Sequence, residues 1–344
     1  MKDQEYLRNN TRIAAMKEES LSRREFLKVS GQVGLGALAL AVDGRALLLG
    51  QEGTTQWLHH SFQSQSGAAW IREIYLEARE VDWELAPGKI IKAMAYNGQI
   101  PGPEIRLKEG ERVRIVLKNT LPEPTTIHWH GVDVPNPMDG VPGITQDPIR
   151  PGETFVYEFE ARPAGTRWYH THFQEHRQLD LGLYAPLIIE PAEEKELAFD
   201  REYTLVLDDW ATGIGHPLLS TRAGTAGRRG NMGGMMGSDV WTINGKQYPK
   251  TEPLRLRKGD LVRVRFFNHS MEAHPMHLHG QSFKVLAVNG QGLPAPIVKD
   301  SVDVEAHMGS VDIEFIAHNP GDRFFHCHKP MHMRGGMVTL AKIG

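Results

Sequence analysis

Apolar and polar residues alternate in short runs along most of the chain. Val113, Ile115 and Leu117 alternate with polar neighbours, and Val262, Val264 and Phe266 do the same later. Successive side chains of a strand point to opposite faces, so a period of two predicts strands with one buried face. Asn-Gly and Pro-Gly pairs punctuate the runs and mark turns. Short alternating strands separated by turns predict an all-β protein of Greek-key β-sandwich type.

The pattern occurs twice. Asn97-Gly98, then EIRLKEGERVRIVLKN, then His128-Trp129-His130 recurs as Asn244-Gly245, PLRLRKGDLVRVRFFN and His277-Leu278-His279. Gly110 matches Gly259, Asn119 matches Asn268 and His130 matches His279 at one constant offset. Further on, Arg167-Trp168-Tyr169-His170-Thr171-His172 matches Arg323-Phe324-Phe325-His326-Cys327-His328. Two copies of one domain of ordinary size are therefore expected, over residues 73–194 and 195–344.

The N-terminus reads differently. Ser22-Arg23-Arg24-Glu25-Phe26-Leu27-Lys28 carries a twin-arginine signature, followed by a mildly apolar run from Val29 to Val42. Residues 1–45 are expected to be a targeting segment exported by the twin-arginine route to the periplasm or beyond. Ala37-Leu38-Ala39 or Ala39-Leu40-Ala41 could precede cleavage. The apolar run is too short for a membrane-spanning helix. Residues 46–72 read as a tether without clear structure. With 344 residues, 40% of them hydrophobic, the chain can bury two cores. A net charge of −3 suggests no nucleic-acid or polyanion partner, and one cysteine excludes an intrachain disulfide framework.

That one cysteine lies in the densest chemistry of the chain, His326-Cys327-His328, with His332 and Met337 following. Thiolate, imidazole and a weak thioether form the ligand set of a blue-copper site. A second imidazole is available in His274-Pro275-Met276-His277-Leu278-His279. On a strand, His326 and His328 face away from Cys327, so one strand can touch two metal centres. His-x-His also occurs at His128/His130, His170/His172 and His277/His279. Each pair presents two imidazoles in one direction. Four pairs give eight nitrogens, enough for three copper ions with open positions for oxygen species.

With these motifs the chain resembles the multicopper oxidases, the laccase-like family. The matching segments are TTIHWHGVDVPNPMDGVPG, GTRWYHTHFQEHRQLDLGLYAPLIIEP, HPMHLHGQSFKVLAVNG and NPGDRFFHCHKPMHMRGGM, within about Ile90 to Leu340. The likeness is to the two-domain, small-laccase type, which implies two tandem cupredoxin-like domains. It implies four coppers per chain. His274, Cys327, His332 and Met337 match type 1 ligands, and His128 and His277 match type 2 ligands. His130, His170, His172, His279, His326 and His328 match those of the type 3 pair. Asp139 matches an acidic position near the type 2 copper that could relay protons, although Asp139-Gly140 also reads as a turn. The acidic residue that many relatives carry just after the type 1 histidine is here Met333, so that position offers no carboxylate for a second proton route. The implied reaction couples four one-electron oxidations of phenols, aromatic amines or similar donors to reduction of O2 to two waters. Two-domain relatives also close a ring of three subunits, so a homotrimer is expected.

The repeat is asymmetric. Aligned by sequence, Cys327 falls on Thr171, His274 on Thr125, Met337 on Leu181 and His332 on His176. A hydroxyl cannot replace a thiolate, so the first domain should hold no type 1 site. His176 reads as a relic, a surface histidine or a partner behind a ligand. Copper nitrite reductases carry their cysteine in the first domain, which disfavours that activity here. A non-catalytic copper-binding protein is a further alternative. The methionine-rich stretch Asn231-Met232-Gly233-Gly234-Met235-Met236-Gly237, with Met331 and Met333 beside His332, leaves room for a cuprous oxidase in copper tolerance, since thioethers favour Cu(I).

Overall fold

The computed structural model describes residues 72–193, 199–212 and 237–344, together with the backbone of two short strands nearer the N-terminus. The chain divides into two compact units, Met1–Gly67 and Ala68–Gly344. In the first, β1 (Ala39–Val42) pairs antiparallel with β2 (Arg45–Leu48). β2 takes in residues 46–48 of the stretch expected as a tether. The twin-arginine motif, most of the tether and the methionine-rich stretch up to Met236 lie outside the described residues.

The second unit contains two β-sandwiches in tandem, as the repeat requires. The first is built from β3 (Arg72–Ala86), β4 (Lys89–Tyr96), β5 (Ile105–Lys108), β6 (Arg112–Asn119), β7 (His128–His130), β8 (Thr154–Glu160), β9 (Gly165–His170) and β10 (Tyr184–Glu190). Its sheets run β4-β3-β6-β8 and β5-β10-β9-β7. The second comprises β11 (Arg201–Trp210), β12 (Val240–Ile243), β13 (Leu254–Leu256), β14 (Leu261–Asn268), β15 (His274–Leu278), β16 (Phe283–Val288), β17 (Gln291–Lys299), β18 (Ser301–Val304), β19 (Gly309–Ile316), β20 (Gly321–Cys327) and β21 (Val338–Ile343). Its sheets run β12-β11-β14-β19-β16-β17 and β13-β21-β20-β15-β18. Sequence-distant strands pair in parallel at equivalent places, β3 with β6 and β11 with β14, which gives the Greek-key crossing of a cupredoxin-like fold.

Alternation decides what each face meets. Val113, Ile115, Leu117, Trp129 and Tyr169 share the first core, while Val262, Val264, Phe266, Phe325 and Cys327 share the second. The opposite faces of the same strands build a third cluster between the sandwiches. Trp168 of β9 and Tyr184 of β10 pack there on Val206 and Phe267. Trp168 meets Phe267 edge-on at 4.7 Å. A polar lock reinforces this seam. Arg265 donates to Asp312 at 2.8 Å and to Thr166 Oγ1 at 2.7 Å, and Thr166 donates to Asp312 at 2.7 Å. Each partner is buried, so loss of Arg265 or Asp312 would leave a buried charge without its counter-charge here.

Candidate metal centres

The asparagines of the repeat explain how each histidine strand is delivered. Asn119 donates to the carbonyls of Glu123 and Ile149 and accepts from the Leu121 N–H. Asn268 donates to those of Glu272, Val304 and Glu305 and accepts from the Ser270 N–H. The same side chain thus pins the loop that enters β7 in one sandwich and β15 in the other.

In the second sandwich, His274, Cys327 and His332 converge, all three buried. Cys327 Sγ lies 3.5 Å from His274 Nδ1 and 3.8 Å from His332 Nδ1, and the two Nδ1 atoms are 3.0 Å apart. Hydrogen bonding sets the His274 tautomer. Its Nε2 lies 2.5 Å from Ser270 Oγ, whose own proton reaches Asn268 Oδ1 at 2.6 Å. Nε2 therefore donates, and the Nδ1 lone pair faces the thiol. His332 sits on α2 (Pro330–Arg334) and stacks on Trp241 at 4.9 Å. Burial lowers the pKa of His274 to about 3 and that of His332 to about 4, and raises that of Cys327 to about 11. Two neutral imidazoles and a soft sulfur within one ion's reach fit copper of the blue type. Met337 is fully buried in the same core, and its carbonyl accepts the Cys327 N–H at 3.1 Å.

The eight remaining histidines form two quartets. In the first, His128 Nδ1 donates to the Asp139 carbonyl at 2.8 Å and His170 Nδ1 to the Thr171 carbonyl at 2.8 Å. His170 Nε2 is buried with no hydrogen-bond partner. Its ring lies 5.4 Å from His128 and 5.7 Å from His130. His128, His130 and His170 can place one nitrogen each within 4.8 Å of the others. His172 lies 5.4 Å from His128, with its Nε2 3.1 Å from Glu175. In the second quartet, His277 Nδ1 donates to the Asp300 carbonyl at 2.6 Å and His326 Nδ1 to that of Cys327 at 2.8 Å. His279 and His326 bring their Nε2 atoms to 2.9 Å, and His328 lies 5.4 Å from His277. Orphaned or facing Nε2 lone pairs are what a metal cluster would satisfy, so the residues fit copper here too.

The quartets lie apart in the chain. His128, His130 and His170 share the outer face of β5-β10-β9-β7 with Trp168, on the side that meets the second sandwich. His277 and His326 face outward from the far sheet of that sandwich, because Met276, Leu278, Phe325 and Cys327 point into its core. A sandwich thickness, with sheets about 10 Å apart, separates the quartets. Among the described residues no ring contact joins them.

Asp139 follows a 3-10 turn (Asn136–Met138), with Oδ1 3.3 Å from His128 Nδ1. The first sandwich has no type 1 counterpart, and the structure corrects the alignment of its remnants. Met337 N–H donates to the His332 carbonyl, and Leu183 N–H donates equivalently to the Gln178 carbonyl. Gln178 therefore occupies the place of His332, and Leu183 that of Met337. Extra residues before α1 (Glu175–Gln178) shift the register and put His176 on the surface. Gln178 Oε1 accepts from Thr125 at 2.9 Å and from Thr171 at 2.8 Å, a closed polar plug where copper would sit. Sequence reasoning also missed Ser270, Trp241 and Glu272, the last 3.7 Å from His332 Nε2. Only the alignment of Ser270 with Leu121 across the repeat hinted at any of them.

Two family models, each of multicopper oxidases, match residues 77–194 and 225–343. The blue copper oxidase of Nitrosomonas europaea is 33% identical with a TM-score of 0.70, over 79% of this chain and 86% of that one. A copper resistance protein A homolog of Pseudomonas syringae pv. tomato is 46% identical over 126 residues, 36% of this chain and 21% of the relative. Copper resistance protein A of Escherichia coli is 32% identical over 238 residues, 58% of this chain and 39% of the relative. The chain thus spans well under half the length of these two curated relatives. It belongs to the multicopper oxidase family.

Proposed function

We propose that the protein is a laccase-like oxidase that couples four one-electron oxidations of small donors to the reduction of O2 to two waters. The observation that carries this reading is the back-to-back arrangement on β20. Cys327 faces a buried pair of imidazole Nδ1 atoms, while His326 on the reverse face joins a histidine quartet. Copper, when bound, supplies the one-electron redox chemistry that these side chains lack. His274, Cys327, His332 and Met337 would hold a type 1 ion, His128 and His277 a type 2 ion, and the other six histidines a type 3 pair, four ions per chain in all. Ser270 and the carbonyls of Asp139, Thr171, Asp300 and Cys327 fix the ring orientations. Asp139 is positioned to carry protons to the His128 side, and Glu272 supplies near His332 the carboxylate that Met333 does not.

Phenols and aromatic amines are the default donors. Cu(I) is the second reading, supported by Met331, 56% exposed one residue before His332, and by the names of the copper resistance relatives. The domains are assigned as 73–194 and 195–344, with 1–45 an export signal and 46–72 a connection. Among the described residues no helix is long and apolar enough to cross a membrane. The assembly is assigned as a homotrimer, because each chain presents its two quartets on separate faces and a complete cluster needs both. An oxygen-electrode assay of copper-loaded protein with a phenol, with Cu(I) and with nitrite tests the activity. Four coppers per chain and oxygen uptake with an organic donor or Cu(I) support it. Copper binding without oxygen uptake would leave a binding protein, and two coppers with nitrite turnover a nitrite reductase.

A further inference from the structure

Arg167 lies in β9 beside the first quartet, and its buried charge is left without an ion pair. The residue is 7% exposed. Its Nη2 donates to the Ala164 carbonyl at 3.0 Å and to the Gly290 carbonyl of the second sandwich at 3.3 Å. Its Nε is buried with no hydrogen-bond partner. Among the described residues Nη1 makes no hydrogen bond, and Asp133, the acid whose charge the guanidinium feels, lies beyond ion-pair reach. Main chain closes around the group. A Cβ on Gly131 would stand 3.0 Å from Nη1, and one on Gly290 would stand 2.8 Å from Cζ and Nη1. These two glycines let a cation sit between turns of the two sandwiches.

The position relative to the quartet is set by the strands. Gly131 directly follows His130, so the guanidinium lies against the chain at the end of β7. Trp168, next to Arg167, is the cross-strand partner of His130. Burial, His128 and then the Arg167 charge hold the His130 pKa below its ordinary value. Buried charges are ordinarily paired, because desolvation is costly unless a counter-charge offsets it. A guanidinium stays charged even where burial lowers its pKa, as here. Arg323, the equivalent residue of the second sandwich, is only half-buried, and Asn319 and the Pro320 carbonyl take its Nε and Nη2 protons. The repeat therefore does not require a buried, unpaired cation at this place.

We propose that Arg167 supplies a fixed positive charge to the first quartet, so that copper held by His130 takes up small anions more tightly. Dioxygen gains negative charge as it is reduced, and a fixed cation nearby lowers the cost of that charge. Arg167 acts through the field at His130 and is in that sense a positioning residue. The inference rests on the reading of His130 as a copper ligand. The competing role is a tie between sandwiches through the Gly290 carbonyl, which needs the hydrogen bond but not the charge.

Azide titration of the copper-loaded, fully oxidised protein without any donor, followed by its charge-transfer absorption, tests this. Arg167→Gln keeps hydrogen-bond donors and loses the charge, and is expected to weaken azide binding about tenfold. Arg167→Lys keeps the charge and should stay within about twofold of the wild type. Circular dichroism would check folding, and if Arg167→Gln does not fold, Arg167→Met against Arg167→Lys carries the same comparison. Equal azide affinity in a folded neutral variant and the wild type would overturn the proposal. So would a loss in Arg167→Lys as large as in the neutral variant, which would leave only the tie between sandwiches. Absence of copper from the first quartet, or of any azide band in the wild type, would instead overturn the copper reading and this inference with it, so the two failures are distinguishable.

Discussion

Five of the candidate histidines carry their instructions in the nitrogen they do not offer. Ser270 holds Nε2 of His274 and so turns Nδ1 to Cys327, whereas main-chain carbonyls hold Nδ1 of His128, His170, His277 and His326 and turn Nε2 outward. The first prediction follows from the sulfur. Cys327→Ser should abolish the intense visible absorption of a thiolate-bound copper and stop oxygen uptake, while metal analysis still finds the other three ions. A variant that stays blue would remove Cys327 from the site. Met337→Leu, which deletes a weak axial donor, should raise the potential of the blue copper in a redox titration. Burial also makes these histidines sensitive to acid. The folded pKa values of about 3 for His170 and His274 and about 4 for His332 lie below the unfolded value near 6.5. On acidification the unfolded chain therefore takes up protons first. Stability of the metal-free protein should be fully present above about pH 6.5 and fall toward pH 3, by up to about 1.4 kcal/mol per pH unit for each histidine. Denaturant melts across that range measure the slope, and a flat profile would mean these rings are not buried neutral.

At the scale of elements, period-two patterning did most of the work. It put His326 on one side of β20 and Cys327 on the other, with His328, just past the strand, stacked on His326, and alternation in β7 and β9 put Trp129 and Tyr169 inside and the histidines outside. Turns carry the remainder. Gly140, at φ +82°, passes so close to the chain before β7 that a Cβ would stand 1.9 Å from the Ile127 carbonyl oxygen. Gly140→Ala should therefore displace the Asp139 turn, release His128 Nδ1 and cost at least about 2 kcal/mol. Thermal melts and copper counts would detect it, and a variant with wild-type stability and full copper would show that the turn does not position His128. The short helices were the least legible elements. A local insertion before α1 changes no hydrophobic period, so sequence alone aligned His176 with His332 where the hydrogen bonds align Gln178.

At the scale of the molecule, the seam of Trp168, Tyr184, Val206 and Phe267 sets one quartet against the second sandwich and leaves the other on its far side. On the proposed reading, a complete cluster draws its two quartets from neighbouring chains joined head to tail in a closed ring. Light scattering of the copper-loaded protein should give three times the chain mass. Co-refolding a His128→Ala/His130→Ala variant with a His326→Ala/His328→Ala variant should restore part of the oxygen uptake that each lacks alone, because some interfaces then pair two intact quartets. A copper-replete, fully active monomer would sink the shared-cluster reading.

The sequence by itself determined the strands, the repeat, the absence of a type 1 ligand set in the first domain and the identities of the twelve candidate ligands. These follow from local rules, since alternation, turn residues and donor chemistry are written along the chain. Tertiary structure alone decided which ring nitrogen His128, His170, His274, His277 and His326 offer, that Gln178 plugs the remnant site, that Glu272 and Trp241 flank His332, and that the quartets face different ways. Those depend on partners distant in sequence, brought together by packing of outer sheet faces whose apolar residues look locally like any other strand.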